Sequence, residues 1–229
     1  MCHELEVAQL LVDHGAQVHS ANKVGKQAMH AAATECDPQM VQLFLGLGVN
    51  PADKELKGWN SLHLAAQSDK PGTLEVVKML VGTQRIDIND QQGNGATALY
   101  LAAQAGRSDV AQLLLEGGAN PSIATKNDIR PLERAVASSN IELVDLLIRH
   151  GADVKFLDNM GRSIVHIASA QPDVRILRRV LEAGADALLQ QPDHRGGTPL
   201  HVAVQNDNEE IALALMEFGA TPGIGRSNT

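Results

Sequence analysis

The segment Asp193-His194-Arg195-Gly196-Gly197-Thr198-Pro199-Leu200-His201-Val202-Ala203 holds a turn, a helix start and the first face of a helix in a few residues. Gly196-Gly197 permits the tight turn, Thr198 offers a capping hydroxyl, and Pro199 suits the first helical position, where a backbone N–H has no partner to lose. Related stretches recur: Arg130-Pro131 keeps the proline and Ser163-Ile164 keeps the hydroxyl. Gly25, Gly58, Gly95, Asp128, Gly161 and Gly196 stand at intervals of 33, 37, 33, 33 and 35 residues, and five positions after them come His30, His63, Tyr100, Glu133, His166 and His201. A second register runs parallel through Gly15-Ala16, Gly48-Val49, Gly118-Ala119, Gly151-Ala152, Gly184-Ala185 and Gly219-Ala220. Two interlocked periods over nearly the whole chain mark a stack of similar units rather than one globule.

Each unit predicts two unequal helices. The first is short and Ala-rich, as in Leu62-His63-Leu64-Ala65-Ala66 and Leu99-Tyr100-Leu101-Ala102-Ala103, so neighbouring backbones can approach closely. The second places apolar residues four apart: Val7 and Leu11, Met40 and Phe44, Val110 and Leu114, Leu143 and Leu147, Ile176 and Val180, Ile211 and Leu215. That spacing draws a stripe along one helical face. The following glycine can take the left-handed conformation that ends the helix, and the polar, turn-forming residues after it, such as 152–161, suit a projecting hairpin.

Composition agrees with thin layers of small helices. Of 229 residues 44% are hydrophobic and only 2% aromatic, so the core must be built of Ala, Leu, Val and Ile. The net charge of −8 disfavours nucleic acid as a partner, because phosphate-backbone binding needs a basic surface. Cys2 and Cys36 are too few for a disulfide framework, and no Asn-x-Ser/Thr acceptor occurs. The start Met1-Cys2-His3-Glu4 lacks a leader pattern and no long apolar run follows, which predicts an intracellular protein, cytoplasmic or nuclear, without direct membrane insertion.

The pattern of Asp, Gly and Thr-Pro-Leu-His-x-Ala in 193–203 resembles the ankyrin repeat signature, and the resemblance spans essentially the whole chain. It implies an all-α ankyrin-repeat solenoid of helix-turn-helix units with projecting β-hairpin loops, in a single domain over 1–229. The division is a half-repeat at 1–21, repeats at 22–54, 55–91, 92–124, 125–157, 158–192 and 193–225, and a tail at 226–229. Repeat 55–91 is about four residues longer than its neighbours, through Ser68-Asp69-Lys70-Pro71-Gly72 and the region of Gln84-Arg85. Repeat 158–192 gains two, around Leu189-Gln190-Gln191-Pro192. These additions are either places for specificity or neutral length variation. The array starts at a second helix and stops after Pro222-Gly223-Ile224-Gly225 without a polar capping helix, which predicts a fragment or a member of a larger assembly.

Few residues invite catalysis or ligation. His30, His63, His166 and His201 occupy equivalent sites in separate units, and packed helices lie about 8–10 Å apart. They cannot converge on one zinc ion, whose ligands sit about 2 Å away. Their expected role is a hydrogen bond to nearby backbone or to the hydroxyl of the same motif, while His14 and His150 face free carbonyls at helix ends. Gly93-Asn94-Gly95-Ala96-Thr97-Ala98 imitates a dinucleotide fingerprint, but Gly95 and Thr97 fall where the repeat register demands and no parallel-sheet pattern surrounds them. No cofactor, metal site or catalytic residue is assigned. Arg175, Arg178 and Arg179 form a basic cluster, either a receptor for an acidic peptide or a solvated outer face. Cys36 has no adjacent base to activate it.

The resemblance implies a protein–protein interaction module, an adaptor, scaffold or inhibitor whose partner lies on the concave face of fingers and first helices. The alternative is a targeting or regulatory segment of a larger enzyme or membrane protein. Trp59, the only Trp, is the leading candidate anchor; it either meets a partner or covers the turn beside Lys57 or Pro71. The candidate strip continues through Lys26, Leu56, Lys57, Asn94, Ile129, Met160, Arg162 and Arg195 on the fingers, with Gln67, Gln104, Ser138 and Gln205 on the first-helix side. Asn89, in Asp87-Ile88-Asn89, resembles the context hydroxylated in some ankyrin arrays.

Overall fold

The structure is a computed structural model that describes residues 2–222, with the side chains of residues 4–222. The end of repeat 193–225 beyond residue 222, the tail 226–229 and the side chain of Cys2 lie outside the described residues. The chain divides into two compact units, Met1–Asn120 and Pro121–Thr229.

In the first unit α1 (Cys2–Asp13) is followed by three helix pairs: α2 (Ala28–Glu35) with α3 (Pro38–Gly46), α4 (Ser61–Ala66) with α5 (Thr73–Gly82), and α6 (Ala98–Gln104) with α7 (Ser108–Glu116). The short helices α2, α4 and α6 pack in succession, as do α3, α5 and α7, so each pair spans two layers. In the second unit the pairs are α8 (Pro131–Ala137) with α9 (Ile141–Arg149), α10 (Ile164–Ser169) with α11 (Val174–Glu182), and α12 (Pro199–Gln205) with α13 (Glu209–Glu217). They stack by the same rule.

The close layering follows from side-chain size. Ala33, Ala65, Ala66, Ala102 and Ala103 are fully buried where first helices meet. In α7, α9, α11 and α13 the apolar stripe is equally inaccessible, Val110, Leu114, Leu143, Leu147, Ile176, Val180, Ile211 and Leu215 all being 0% exposed, while in α3 Phe44 is buried and Met40 half-buried. Burying each such side chain is worth about 1.5–3 kcal/mol. Helix α1 is the exception. Its expected stripe of Val7 and Leu11 is 42% and 56% exposed, because the face that meets a first helix in α3, α5 and α7 finds none among the described residues.

The helix ends are set as the glycines predict. Gly48, Gly118, Gly151, Gly184 and Gly219 all have positive φ. The next residue's N–H then bonds back over the last turn, as in Ala152 N to Leu147 O at 3.0 Å and Ala220 N to Leu215 O at 2.9 Å. The added residues of repeat 55–91 are tied down rather than loose. Gly72 has φ +88°, Thr73 Oγ1 donates to Lys70 O at 2.8 Å, Lys70 Nζ pairs with Glu35 at 2.5 Å, and Arg107 donates to Ser68 O. The addition in repeat 158–192 follows a 3-10 turn at Ala185–Leu188, and Ala185 at the start of that turn and Leu189 just after it are buried.

The projecting finger loops are hairpin turns closed by a few backbone bonds. No β-strand forms among the described residues, and the isolated antiparallel bridge between Leu157 and Ser163 is the nearest approach to one. Turn bonds hold them instead. The N–H groups of Asn22, Glu55, Gln92, Thr125, Asp158 and Asp193 donate to the carbonyls of Lys26, Trp59, Ala96, Ile129, Arg162 and Gly197, all between 2.8 and 3.0 Å.

Candidate functional site

Each finger is closed by one side chain with an acceptor oxygen, always three residues before the register position. Glu55 Oε1 accepts from Lys57 N at 2.8 Å and Trp59 N at 3.2 Å, and Asp158 Oδ1 accepts from Met160 N at 2.9 Å and Arg162 N at 2.8 Å. Asn22, Gln92, Thr125 and Asp193 do the same in their own turns. This third register is written in the sequence as six oxygen-bearing residues, yet their chemical variety (Asn, Glu, Gln, Thr, Asp) hides it from a search for one residue type.

The motif histidines fasten each finger to the next. In His63, Nδ1 accepts from Asn60 N at 3.3 Å and Nε2 lies 3.0 Å from Asp90 O of the following finger; His30 repeats this with Gln27 N at 3.1 Å and Asp53 O at 3.0 Å. In both rings Nδ1 faces a backbone N–H donor and Nε2 a backbone carbonyl, so each ring bridges its own helix start and the next finger. Burial is the main cause that holds His63 and His166 below their ordinary value, with nearby carboxylates and carbonyls opposing it. His166 Nε2 faces Gly197 O at 3.1 Å, on the far arm of the finger turn that opens the next repeat. These are structural roles, as expected, and at His201 the Thr198 hydroxyl lies 2.8 Å from Nδ1.

In the first unit the fingers also join tip to tip. Leu56 N donates to Val24 O at 3.0 Å and Gly93 N to Lys57 O at 2.8 Å. A Cβ on Gly93 would stand 2.5 Å from that Lys57 oxygen, so Gly93 serves finger stacking, while Gly95, with φ +87°, serves its own turn. Beside these tips Val24, Lys26, Glu55, Lys57, Trp59, Leu64 and Gln67 line an open groove of about 380 Å³. Four members of the expected strip, Lys26, Lys57, Trp59 and Gln67, thus come together. Val24, Glu55 and Leu64 join them from positions where sequence carries no signal of facing this groove. Trp59 is half-buried and meets His63 edge-on, with ring centroids 6.2 Å apart and planes at 65°. Leu56, 77% exposed, is the most open large apolar side chain among the described residues, and Asn94 and Gln104 are exposed as well.

In the second unit Met160 is 42% exposed, Arg195, Ser138 and Gln205 are exposed, and Ile129 is half-buried. Arg162 is already engaged, its Nε 2.8 Å from the Asp158 carboxylate of its own finger. Burial works to raise Asp158, but the N–H groups of Arg162 and Met160 and the Arg162 guanidinium together hold it below the usual carboxylate range. Finger 152–158 buries alternate residues, and Phe156 lies under the Arg130 guanidinium, 4.2 Å from ring centroid to Cζ.

The basic cluster of α11 is neutralised in place: Arg175 pairs with Asp173 at 2.7 Å, Arg178 with Glu217 at 2.7 Å, and Arg179 with Asp145. It offers no free charge to an acidic peptide, which leaves the alternative of a solvated outer face. Asn89 Oδ1 accepts from Asn120 N at 2.7 Å, so its amide is part of the finger base. His14 Nδ1 lies 2.8 Å from Leu10 O, as expected at a helix end. Cys36 is buried and receives the Thr73 hydroxyl at 3.2 Å. Among the described residues no helix is long and apolar enough to cross a membrane, and no three metal-binding side chains converge.

The chain is similar to known proteins in sequence and in fold. The sequence profile described as Ankyrin repeats (3 copies) matches residues 1–92, 37–125, 70–158 and 132–225. The B-cell lymphoma 3 protein homolog of Mus musculus is 30% identical over 188 residues, covering 82% of this chain and 42% of that protein. The human transient receptor potential cation channel subfamily A member 1 is 27% identical over 176 residues, 73% of this chain and 16% of the channel. The Arabidopsis thaliana E3 ubiquitin-protein ligase KEG is 34% identical over 143 residues, 60% of this chain and 9% of the ligase. This chain therefore spans less than half the length of each of these relatives. Among solved structures, the ankyrin repeat domain of Bcl-3, described as a unique member of the IkappaB protein family, superposes with a TM-score of 0.76 at 26% identity, covering 93% of this chain and 91% of that one.

Proposed function

The chain belongs to the ankyrin repeat family, and from that premise we propose that it is a protein–protein interaction module, an adaptor, scaffold or inhibitor that holds its partner on the fingers and first helices. The observation that carries this is the groove at Trp59: an aromatic ring, open apolar neighbours and cationic rims gathered on fingers whose backbone bonds are internally satisfied. Such side chains are free to meet a partner without disturbing the stack. The candidate residues of the second unit, the exposed Met160 and Arg195 together with Arg162, whose side chain stays 46% exposed beside Asp158, also contribute to recognition, within an intracellular compartment.

A second role is favoured by the lengths and names of the relatives. A cation channel and a ubiquitin ligase each contain a stretch like this one as a small part of a longer protein. The segment then serves as a targeting or regulatory part, with catalysis or transport encoded elsewhere. Cross-linked pull-down from native extract, comparing wild type with a Trp59→Ala, Arg162→Ala variant that keeps its helical circular dichroism, tests the recognition role. Loss of one reproducible partner supports it, and an unchanged partner set moves the site away from these residues.

A further inference from the structure

The groove of the first unit has a charge pattern that selects among partners. Its apolar floor is made by Trp59 and Leu64 with the 48%-exposed Val24 at the edge. Two exposed cations, Lys26 and Lys57, stand on adjacent fingers that are one backbone hydrogen bond apart, and neither side chain forms an ion pair among the described residues. The only carboxylate lining the groove, Glu55, is buried and already accepts two N–H groups of its own turn. The rim is thus positive on a chain whose net charge is −8. Polyanionic nucleic acid is a poor match, since two lysines beside an aromatic floor provide no track for a phosphate backbone.

We infer that this groove takes an extended peptide segment of a partner protein in which a bulky apolar side chain is flanked by carboxylates. The apolar side chain covers Trp59, and the carboxylates meet Lys26 and Lys57, which supply orientation and encounter rate. The inference rests on the recognition role proposed for this face, and the experiment separates the two. A random dodecapeptide display library is selected on the full chain, and a synthetic peptide from the selection is titrated while the emission of Trp59, the only Trp, is followed.

The expected result is enrichment of Asp and Glu next to Leu, Ile, Phe or Trp, a shift of Trp59 emission on binding, and weaker binding as salt is raised. The Lys26→Glu, Lys57→Glu variant, altered only at exposed positions, should lose about tenfold or more in affinity, and the peptide with its acids replaced by amides should lose a similar factor against wild type. Selected peptides without acidic enrichment, binding indifferent to the charge reversal, or no selected peptide at all overturns the inference. If one of those results accompanies loss of a partner in the Trp59→Ala, Arg162→Ala pull-down, protein recognition stands and the acidic partner falls. If no partner is lost either, both fall.

Discussion

Glu133 stands where four other repeats carry histidine, and it is 4% exposed. Its Oε2 takes the histidine's local duty, accepting from Arg130 N at 2.6 Å. Burial raises its carboxyl from 4.5 to about 7; the Arg130 N–H and charge oppose this, and Asp158 and Asp128 add to it. The folded state therefore binds more proton than the unfolded chain between those values. Stability should fall as pH rises from about 4.5 to about 7, with the full cost, at most on the order of 3 kcal/mol, present above that window. Glu133→Gln keeps the acceptor and removes the charge, so its melting temperature should exceed that of wild type above neutrality and converge with it in acid; thermal melts across pH check this. His63 and His166 act in the opposite sense. Their depressed values mean stability is lost as pH falls through and below 6.5. Trp59→Ala, at a half-buried site, should abolish partner capture while leaving the melt within about 1 kcal/mol of wild type. The position of Glu133 was legible from the repeat register, but its shifted carboxyl was not, since that depends on which groups enclose it.

Helix ends and inserted turns make sharper demands. Gly151 has φ +83° with open space where a Cβ would stand, so Gly151→Val strains the backbone rather than any neighbour. A loss of about 1–2 kcal/mol is expected by denaturant titration, and an unchanged midpoint would falsify the helix-end assignment. Gly72 combines φ +88° with a Cβ position only 2.5 Å from Cys36 O, so Gly72→Ala should cost more than Gly151→Val. By contrast Lys70→Ala removes a pair with both partners substantially exposed and should cost less than about 1 kcal/mol. Sequence located both additions as extra length. That one clasps Glu35 and Arg107 of neighbouring repeats, and that the other buries Leu189, depended on contacts with residues far along the chain.

Within each unit the main helix packing is between neighbouring repeats, so local stability should follow how well each helix pair is covered. Helix α1, with Leu10 and Leu11 more than half exposed, should exchange its amide hydrogens faster than α4 or α6, whose faces are closed; equal protection by mass spectrometry would contradict this packing. The paired sequence periods were enough to establish an all-α repeat fold, the positions of its helices and the places where they stop. Each of those is a local property: a stripe four residues apart, a capping oxygen, a glycine able to take positive φ. The folded arrangement alone settled that Lys26, Lys57, Trp59 and Gln67 share one groove with Val24 and Leu64. It likewise settled that Asp145 and Glu217 neutralise the arginines of α11, and that His166 bonds Gly197 O. Those outcomes depend on distances between groups thirty or more residues apart, and a local pattern in the sequence carries no record of such distances.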